Sequence, residues 1–393
     1  MGNRKLRMGM IGGGPGAFIG DIHRMAARLD GRIELVCGAF SSDPEKSKKA
    51  GEDLLLPPDR AYGSYTEMIR REGELPDDKR MDFVSIVTPN HVHFEPAKLA
   101  LQNGFHVVLD KPMTLNLVEA QKLEQLVEQT GLEFCLTHTY TGYPMIKEAR
   151  HLIGMGKLGE IRKIYVEYPQ GWLATRLEAT GNKQADWRTD PARSGVAGSM
   201  GDIGTHAANL AEYVSGLKIT RVCADINTIV EGRVLDDDGA VLLKFENGAS
   251  GVLLASQVAA GEENNIKLRI YGEKGGIEWE QEAANRLLVK WRDKPAEVRR
   301  TGNNVSYLSK VAAYNTRTPA GHPEGYLEAF SNLYRNFANT VAARMNGEQP
   351  EPEWTDFPDA EDGLRGMLFI EKVIESGRSD KKWILMDESE YRK

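Results

Sequence analysis

The chain has no apolar run long enough to cross a membrane, no basic excess, no internal repeat and only three cysteines among 393 residues. A membrane span needs ~18 or more nearly uncharged apolar residues, so a transmembrane protein is not expected. Cys37, Cys135 and Cys223 are odd in number, sit in apolar strand-like runs and lack metal-ligand spacing; they read as buried thiols rather than a disulfide framework or a metal site. The opening "MGNRKLRMGMIGGG" is too short and too glycine-broken for a signal peptide, and Leu6 stands where a myristoylation motif carries Ser or Thr. A cytoplasmic protein is the expectation. Fifty Lys and Arg face 57 Asp and Glu, a formal charge of -7, with no basic patch interleaved with aromatics. Nucleic acid is therefore not an expected partner, nor is a membrane, and a small neutral molecule is.

What is present is alternation. "LRMGMI", "IELVCGAF", "DFVSIVT", "FHVVLD" and "EFCLTHT" are short apolar runs within residues 1–140, separated by amphipathic segments, the pattern of a parallel sheet covered on both faces. Ser64 with Glu67 and Asn116 with Glu119 are helix-start signals, and Gly131 is a stop. Beyond residue 140 a helix is expected near 144–154, a strand at 161–171 and a helix near 200–215. Strands then follow in succession, punctuated by "DDDG", "NG" and "EKGG", which is the turn chemistry of a largely antiparallel, open sheet. Helices at 144–154, 323–346 and 357–377 are expected to cover one face of that sheet and a second subunit the other. The expected division is 1–140 for dinucleotide binding and 141–393 for substrate binding and oligomerisation.

"MGMIGGGPGAFIG" places Gly12, Gly14 and Ala17 directly after the first strand and at the start of a helix. Gly12 permits the tight turn, Gly14 lets the backbone approach a pyrophosphate, and Ala17 allows close helix packing; Pro15 and Gly16 complete the loop. The second strand ends in "AFSSDPEKS", where an acid would normally meet the adenine ribose. Ser41 and Ser42 stand there instead, with Lys46 nearby and no arginine, which favours NAD and leaves NADP open. "VSIVTPNHVH" puts Thr88, Asn90 and His93 on the ligand-facing edge of the sheet, Asn90 as a cap for the next helix and the loop along the cofactor's ribose. No Cys, Asp or Glu completes a metal set with His91 and His93, and none is expected.

"FHVVLDKPMT" runs a buried strand into Asp110, Lys111 and Pro112 on that same edge. Proline restricts the residue before it, so Lys111 is held in a fixed direction. In "GSMGDIGTHAANLAEYVSG", Asp202 and His206 lie four apart, on one helical face, behind glycines that admit close approach. A lone lysine at a strand end is commonly a solvated charge, and Asp202 and His206 taken singly fit a helix cap and a core histidine. The three together point to catalysis.

The combination of "MIGGGPGA", "VTPNHVH", "LDKP", "DWRTDPARSG" and "GDIGTH" resembles the Gfo/Idh/MocA family of NAD(P)-dependent sugar and polyol dehydrogenases. "THTYTGYPM" and "GHPEGYLEAF" are similar to the branch that holds levoglucosan dehydrogenase and related glycoside 3-dehydrogenases. The resemblance implies an α/β protein, an N-terminal Rossmann doubly wound parallel sheet followed by an α+β domain with an open, predominantly antiparallel sheet, assembled as a homodimer or homotetramer through that sheet. It carries the family's lysine onto Lys111, its aspartate onto Asp202 and its histidine onto His206. One departure stands out: Asp110 and Lys111 occupy positions at which the family has a glutamate and its lysine, and the shorter Asp110 alters the cofactor contact expected there.

Alcohol oxidation needs a base within reach of the hydroxyl proton. His206 fills that role, with Lys111 donating to the same oxygen and Asp202 binding a neighbouring hydroxyl or fixing the imidazole. For the sugar, the polar and aromatic loop residues Tyr140, Gln170, Trp172, Arg188 and His322 are candidates; Arg188 has the alternative of pairing with Asp186 or Asp190, and Trp172 and Tyr140 of lying in the core. The expected reaction is hydride transfer from a secondary hydroxyl of a sugar, anhydrosugar or glycoside, with C3 as a candidate carbon. Two other readings stay open: an NAD-dependent glycosidase working by transient oxidation, and a non-catalytic dinucleotide-sensing regulator.

Overall fold

The computed structural model describes residues 4–387. The five apolar runs form one parallel sheet: β1 (Leu6–Gly12), β2 (Ile33–Ala39), β3 (Phe83–Val87), β4 (His106–Leu109) and β5 (Phe134–Leu136), in the order β2-β1-β3-β4-β5. Helices α1 (Phe18–Leu29), α2 (Pro44–Asp53), α3 (Tyr65–Glu74), α4 (Phe94–Gln102) and α5 (Leu117–Thr130) make the crossovers. Every residue of β3 and β5 is buried, as layers on both faces require. The expected caps are present: Ser64 accepts from the Glu67 amide, Asn116 from the Glu119 amide, and Gly131 closes α5 at φ 62°. Because β1 lies between β2 and β3, the crossovers diverge there and leave a crevice at the strands' carboxyl ends, where ligands of such sheets bind.

The second sheet contains β6 (Ile161–Pro169), β7 (Ile219–Asn227), β8 (Asp238–Phe245), β9 (Ser250–Ser256), β10 (Lys267–Gly272), β11 (Gly275–Glu280), β12 (Arg286–Trp291), β13 (Glu297–Arg300) and β14 (Trp383–Leu385). Their order is β13-β12-β11-β10-β6-β9-β8-β7-β14, and every pairing but the parallel β6/β9 is antiparallel. Strands β8 and β9 alternate buried and open positions along their length, so one face of the sheet is covered. Helices α6 (Pro144–Gly154), α7 (Lys183–Arg188), α8 (Pro191–Ser194), α9 (Thr205–Ser215) and α10 (Lys310–Tyr314) accompany it, and a π-helical turn, Met200–Gly204, leads into α9.

The chain separates into two compact units, residues up to Gly142 with Tyr326–Leu364, and Tyr143–Gly325 with the residues from Arg365 onward. This departs from a single cut after residue 140. Helix α11 (Tyr326–Met345) belongs with the parallel sheet rather than the open one: Phe330, Leu333, Tyr334, Phe337 and Val341 join Met8, Met10, Phe83 and Val108 in one core. Its stripe of large aromatics meets a dense apolar surface there, and Gly142 lets the helix backbone come close, since a Cβ on it would lie 2.1 Å from the Ala329 carbonyl oxygen. A buried network, His23 Nδ1 to Tyr334 Oη at 2.7 Å and Ser85 Oγ to Tyr334 Oη at 2.8 Å, fixes the register of α11. The edge of β5 is closed by the Leu136 amide donating to Pro358 O. Helix α12 (Ala360–Arg378) begins in the first unit and passes into the second after Leu364.

Candidate active site

In the first unit, the glycine loop leaves β1 at Gly12, whose φ of 82° is left-handed and favours glycine. A Cβ on Gly14 would lie 2.5 Å from the Phe40 carbonyl oxygen, so the loop hugs the end of β2. Ala17 is the cap position of α1 and makes no side-chain cap hydrogen bond, which leaves the first helical N–H groups to a ligand. Close packing of helix on loop is made at Gly20, where a Cβ would lie 2.4 Å from Gly13 Cα. Arg24 adds a hydrogen bond to Gly13 O at 2.8 Å. A bare glycine cradle with uncapped amides fits a dinucleotide pyrophosphate. Pro15 and Gly16 are exposed beside it.

At the end of β2, Asp43 caps α2, accepting from the Glu45 and Lys46 amides at 3.0 and 3.2 Å. Those backbone bonds, the Lys46 one foremost, hold its carboxyl below the usual range. Ser41 Oγ accepts from the Asp43 amide at 3.1 Å, while Ser42 and Lys46 are exposed and Lys46 Nζ lies 3.5 Å from Asp43.

The third strand's end differs from expectation in two residues. His93, expected along the cofactor's ribose, is fully buried, with Nδ1 2.8 Å from Pro112 O and Nε2 2.8 Å from Thr88 O. It ties the Thr88 loop to the turn after β4 from inside. Burial is the main cause lowering its pKa. Asn90, expected to cap α4, opens a single 3-10 turn instead; the cap position is His93, without a side-chain bond.

Lys111 follows β4 on the same edge, its peptide bond to Pro112 is cis, and its side chain is partly buried. The Asp110 carboxylate bends back onto its own turn, accepting from the Lys111 amide at 2.9 Å and from Thr137 Oγ1 at 3.0 Å. The shorter side chain is thus committed to holding the lysine's backbone. His138, which the sequence reading passed over, is buried beside this turn; burial first and the Lys111 cation second lower its pKa to about 3, so it is neutral. Tyr140 lies nearby in sequence and is buried.

In the second unit, the π-helical turn carries Asp202, and His206 follows in the first turn of α9, buried, with its ring 6.3 Å from that of Tyr168. Asp236 anchors the start of this segment, accepting from the Gly198 and Met200 amides at 2.6 and 2.8 Å and from Ser199 Oγ at 2.8 Å. Asp202 Oδ2 accepts from Arg188 Nε at 3.2 Å and from Gln257 Nε2 at 2.8 Å. Arg188 therefore pairs with Asp202 rather than with Asp186 or Asp190, and it lies 4.2 Å from the centre of the Trp187 ring and 5.8 Å from that of Trp172. Trp172 donates its indole N–H to Gln170 Oε1 at 3.0 Å, and Gln170 donates to Asn264. So Gln170, Trp172, Arg188 and Asp202 form one network. His322 stands apart from it, exposed, with its ring against Pro319 O of its own loop.

A glycine-rich turn between β1 and a helix, at the switch point of a parallel sheet, defines a dinucleotide-binding α/β protein. Residues 6–138 match the "Oxidoreductase family, NAD-binding Rossmann fold", and residues 146–278 match the "GFO/IDH/MocA C-terminal domain". An inositol dehydrogenase homolog from Azotobacter vinelandii, solved with NAD+, superposes with a TM-score of 0.91 at 33% identity over 97% of both chains. The uncharacterized oxidoreductase YfiI of Bacillus subtilis is 31% identical over 97% of both chains. Levoglucosan dehydrogenase of Pseudarthrobacter phenanthrenivorans is 26% identical, covering 79% of this chain and 82% of its own. The chain belongs to the GFO/IDH/MocA family and is an NAD-dependent oxidoreductase.

Proposed function

We propose that this enzyme oxidises a secondary hydroxyl of a neutral sugar, anhydrosugar or glycoside, with C3 as the reacting carbon. The observation that carries the reading is the Asp202–His206 segment: a carboxylate gripped by two donors, a buried imidazole four residues on, and an aromatic and amide wall of Trp172 and Gln170 beside them. Such a wall suits a ring with hydroxyls on its edge and C–H bonds on its face. Relatives named for levoglucosan and for glucose-6-phosphate 3-dehydrogenation agree in chemistry.

NAD, when bound, accepts the hydride. His206 takes the hydroxyl proton on its imidazole, the base that alcohol oxidation requires. In the second unit Asp202 accepts from the neighbouring hydroxyl; in the first, Lys111 supplies a cation at the cofactor edge that steadies negative charge developing in the reaction. The glycine loop and the Thr88 loop hold the dinucleotide, with Lys111 set at its edge by Asp110 and Pro112.

Two assembly features belong to the same reading. Leu242, Leu254 and Val298 are large apolar side chains left 49%, 41% and 58% exposed on the open sheet, which favours a second copy of the chain over it. None of Cys37, Cys135 and Cys223 is in a disulfide, consistent with work in the cytoplasm.

The test is reduction of NAD and of NADP, followed at the absorbance of the reduced cofactor, across sugars, anhydrosugars, glycosides and inositols. The reading expects a sugar-dependent signal. Replacing Lys111 by Ala is expected to lower kcat by ~100-fold or more while NADH affinity stays within twofold. Wild-type turnover in Lys111→Ala rejects the role given to the lysine.

A further inference from the structure

Gln257 follows β9 directly and is buried, 2% exposed. Its side-chain amide donates to Asp202 Oδ2 at 2.8 Å and reaches Gln170 Oε1 at 3.4 Å, the same oxygen that accepts the Trp172 indole N–H at 3.0 Å. Its backbone is pinned on both sides: its N–H donates to Asp237 O at 2.8 Å and its carbonyl accepts from the Leu173 amide at 3.1 Å. One side chain thus touches the acid and the residue that aims the indole, and its own carbonyl holds the turn next to that indole.

We propose that Gln257 is the positioning residue of the sugar site, setting Asp202 and, through Gln170, Trp172 as a single wall. This rests on the dehydrogenase reading above and deepens it. The wall takes a ring that offers a hydroxyl to the Asp202 carboxylate and a C–H face to Trp172. An amide suits the position because its NH2 serves two oxygens at once and adds no charge beside Asp202. Among the described contacts Asp202 meets the Arg188 guanidinium and the Gln257 amide, His206 stands four residues on, and Asp236 holds the start of the segment through the Gly198 and Met200 amides.

The test uses the full-length protein with three substitutions. Gln257→Leu removes the donor; Gln257→Asn keeps the amide on a shorter arm and covers the case in which the leucine variant fails to fold; Gln257→Glu puts a second carboxyl against Asp202. With carboxyl-13C aspartate labelling, and the resonance assigned through Asp202→Asn, the position 202 titration in Gln257→Glu is expected to move upward by ~1 unit or more. With 15N-tryptophan labelling, the Trp172 indole N–H is expected to exchange faster with solvent in the leucine and asparagine variants. In turnover assays the sugar KM is expected to rise tenfold or more in both, with the NADH Kd within twofold. An unmoved Asp202 titration together with an unchanged indole exchange rate overturns the proposal. If both spectral changes occur but the wild-type enzyme oxidises no sugar, Gln257 keeps its positioning role and the dehydrogenase reading is what falls.

Discussion

Replacing Gly20 by alanine tests how the cofactor loop is held. The added methyl would lie 2.4 Å from Gly13 Cα, 2.8 Å from its carbonyl oxygen and 3.0 Å from its carbonyl carbon. Carbon atoms in contact prefer ~3.5–4.0 Å, so loop and helix must part by about 1 Å. Backbone offers no rotamer escape, and parting also stretches the 2.8 Å bond from Arg24 to Gly13 O. Overpacking of this kind costs ~1–3 kcal/mol in stability. The same displacement takes the loop amides out of line with the pyrophosphate; a similar ~1–3 kcal/mol there means ~5- to 150-fold weaker NAD binding. NADH fluorescence titration and urea unfolding read the two effects. Gly154→Ala serves as the control, since nothing lies within 4 Å of its Cβ and it ends α6; it is expected to add ~0.5–1 kcal/mol. A Gly20→Ala protein with wild-type NADH affinity and an unchanged urea midpoint refutes the reasoning.

Acid should weaken the first unit before the carboxylates titrate. Burial lowers the pKa of His23 and His106 to about 4 and that of His138 to about 3. The unfolded chain, with histidine near ~6.5, then binds more protons in between, so stability is full above about pH 6.5 and falls toward pH 4, by roughly 4 kcal/mol per pH unit near pH 5. Urea midpoints equal at pH 6.5 and 5 contradict this. His106 supplies a local cause, because its Nδ1 accepts from the Glu133 amide at 2.9 Å and a proton there removes the acceptor. Tyr334→Phe leaves His23 Nδ1 and Ser85 Oγ only their longer 3.3 Å contact with each other and is expected to cost ~1–3 kcal/mol in urea unfolding.

The parallel sheet was legible because strands buried on both faces must read as continuous apolar runs, and its loop because only glycine tolerates φ near 82° at Gly12. The destination of α11 was not legible. An amphipathic stripe says that one side is buried, and only the tertiary packing of Phe330 and Phe337 says against which sheet. The close approach at Gly20 lay outside the glycine pattern, because the helix meets Gly13 one turn beyond its start. Spacing could bring Asp202 and His206 forward as candidates, and Arg188 came forward as a polar residue at a loop position, while its pairing with Asp202 had no local sign. Gln257 carried no local signal: a glutamine after a strand in "ASQVA" is ordinary until β9 sets it beside Asp202. His93 misled for the converse reason, since a histidine in a ligand-facing loop looks available until both ring nitrogens are seen against carbonyls.

The segment Tyr326–Leu364 ties the birth of the nucleotide-holding half to the synthesis of the intervening residues 143–325. A nascent chain that has emerged through Gly142 has every strand of the parallel sheet but neither the aromatic cover over Met8 and Phe83 nor the Pro358 carbonyl at the border of β5. Domains generally mature in the order they leave the ribosome; this one must wait for its successor to be synthesised first. A gene fragment cut at residue 142 would yield an open-faced, adhesive intermediate, so the half that grips NAD cannot be passed between proteins as a simple amino-terminal cassette.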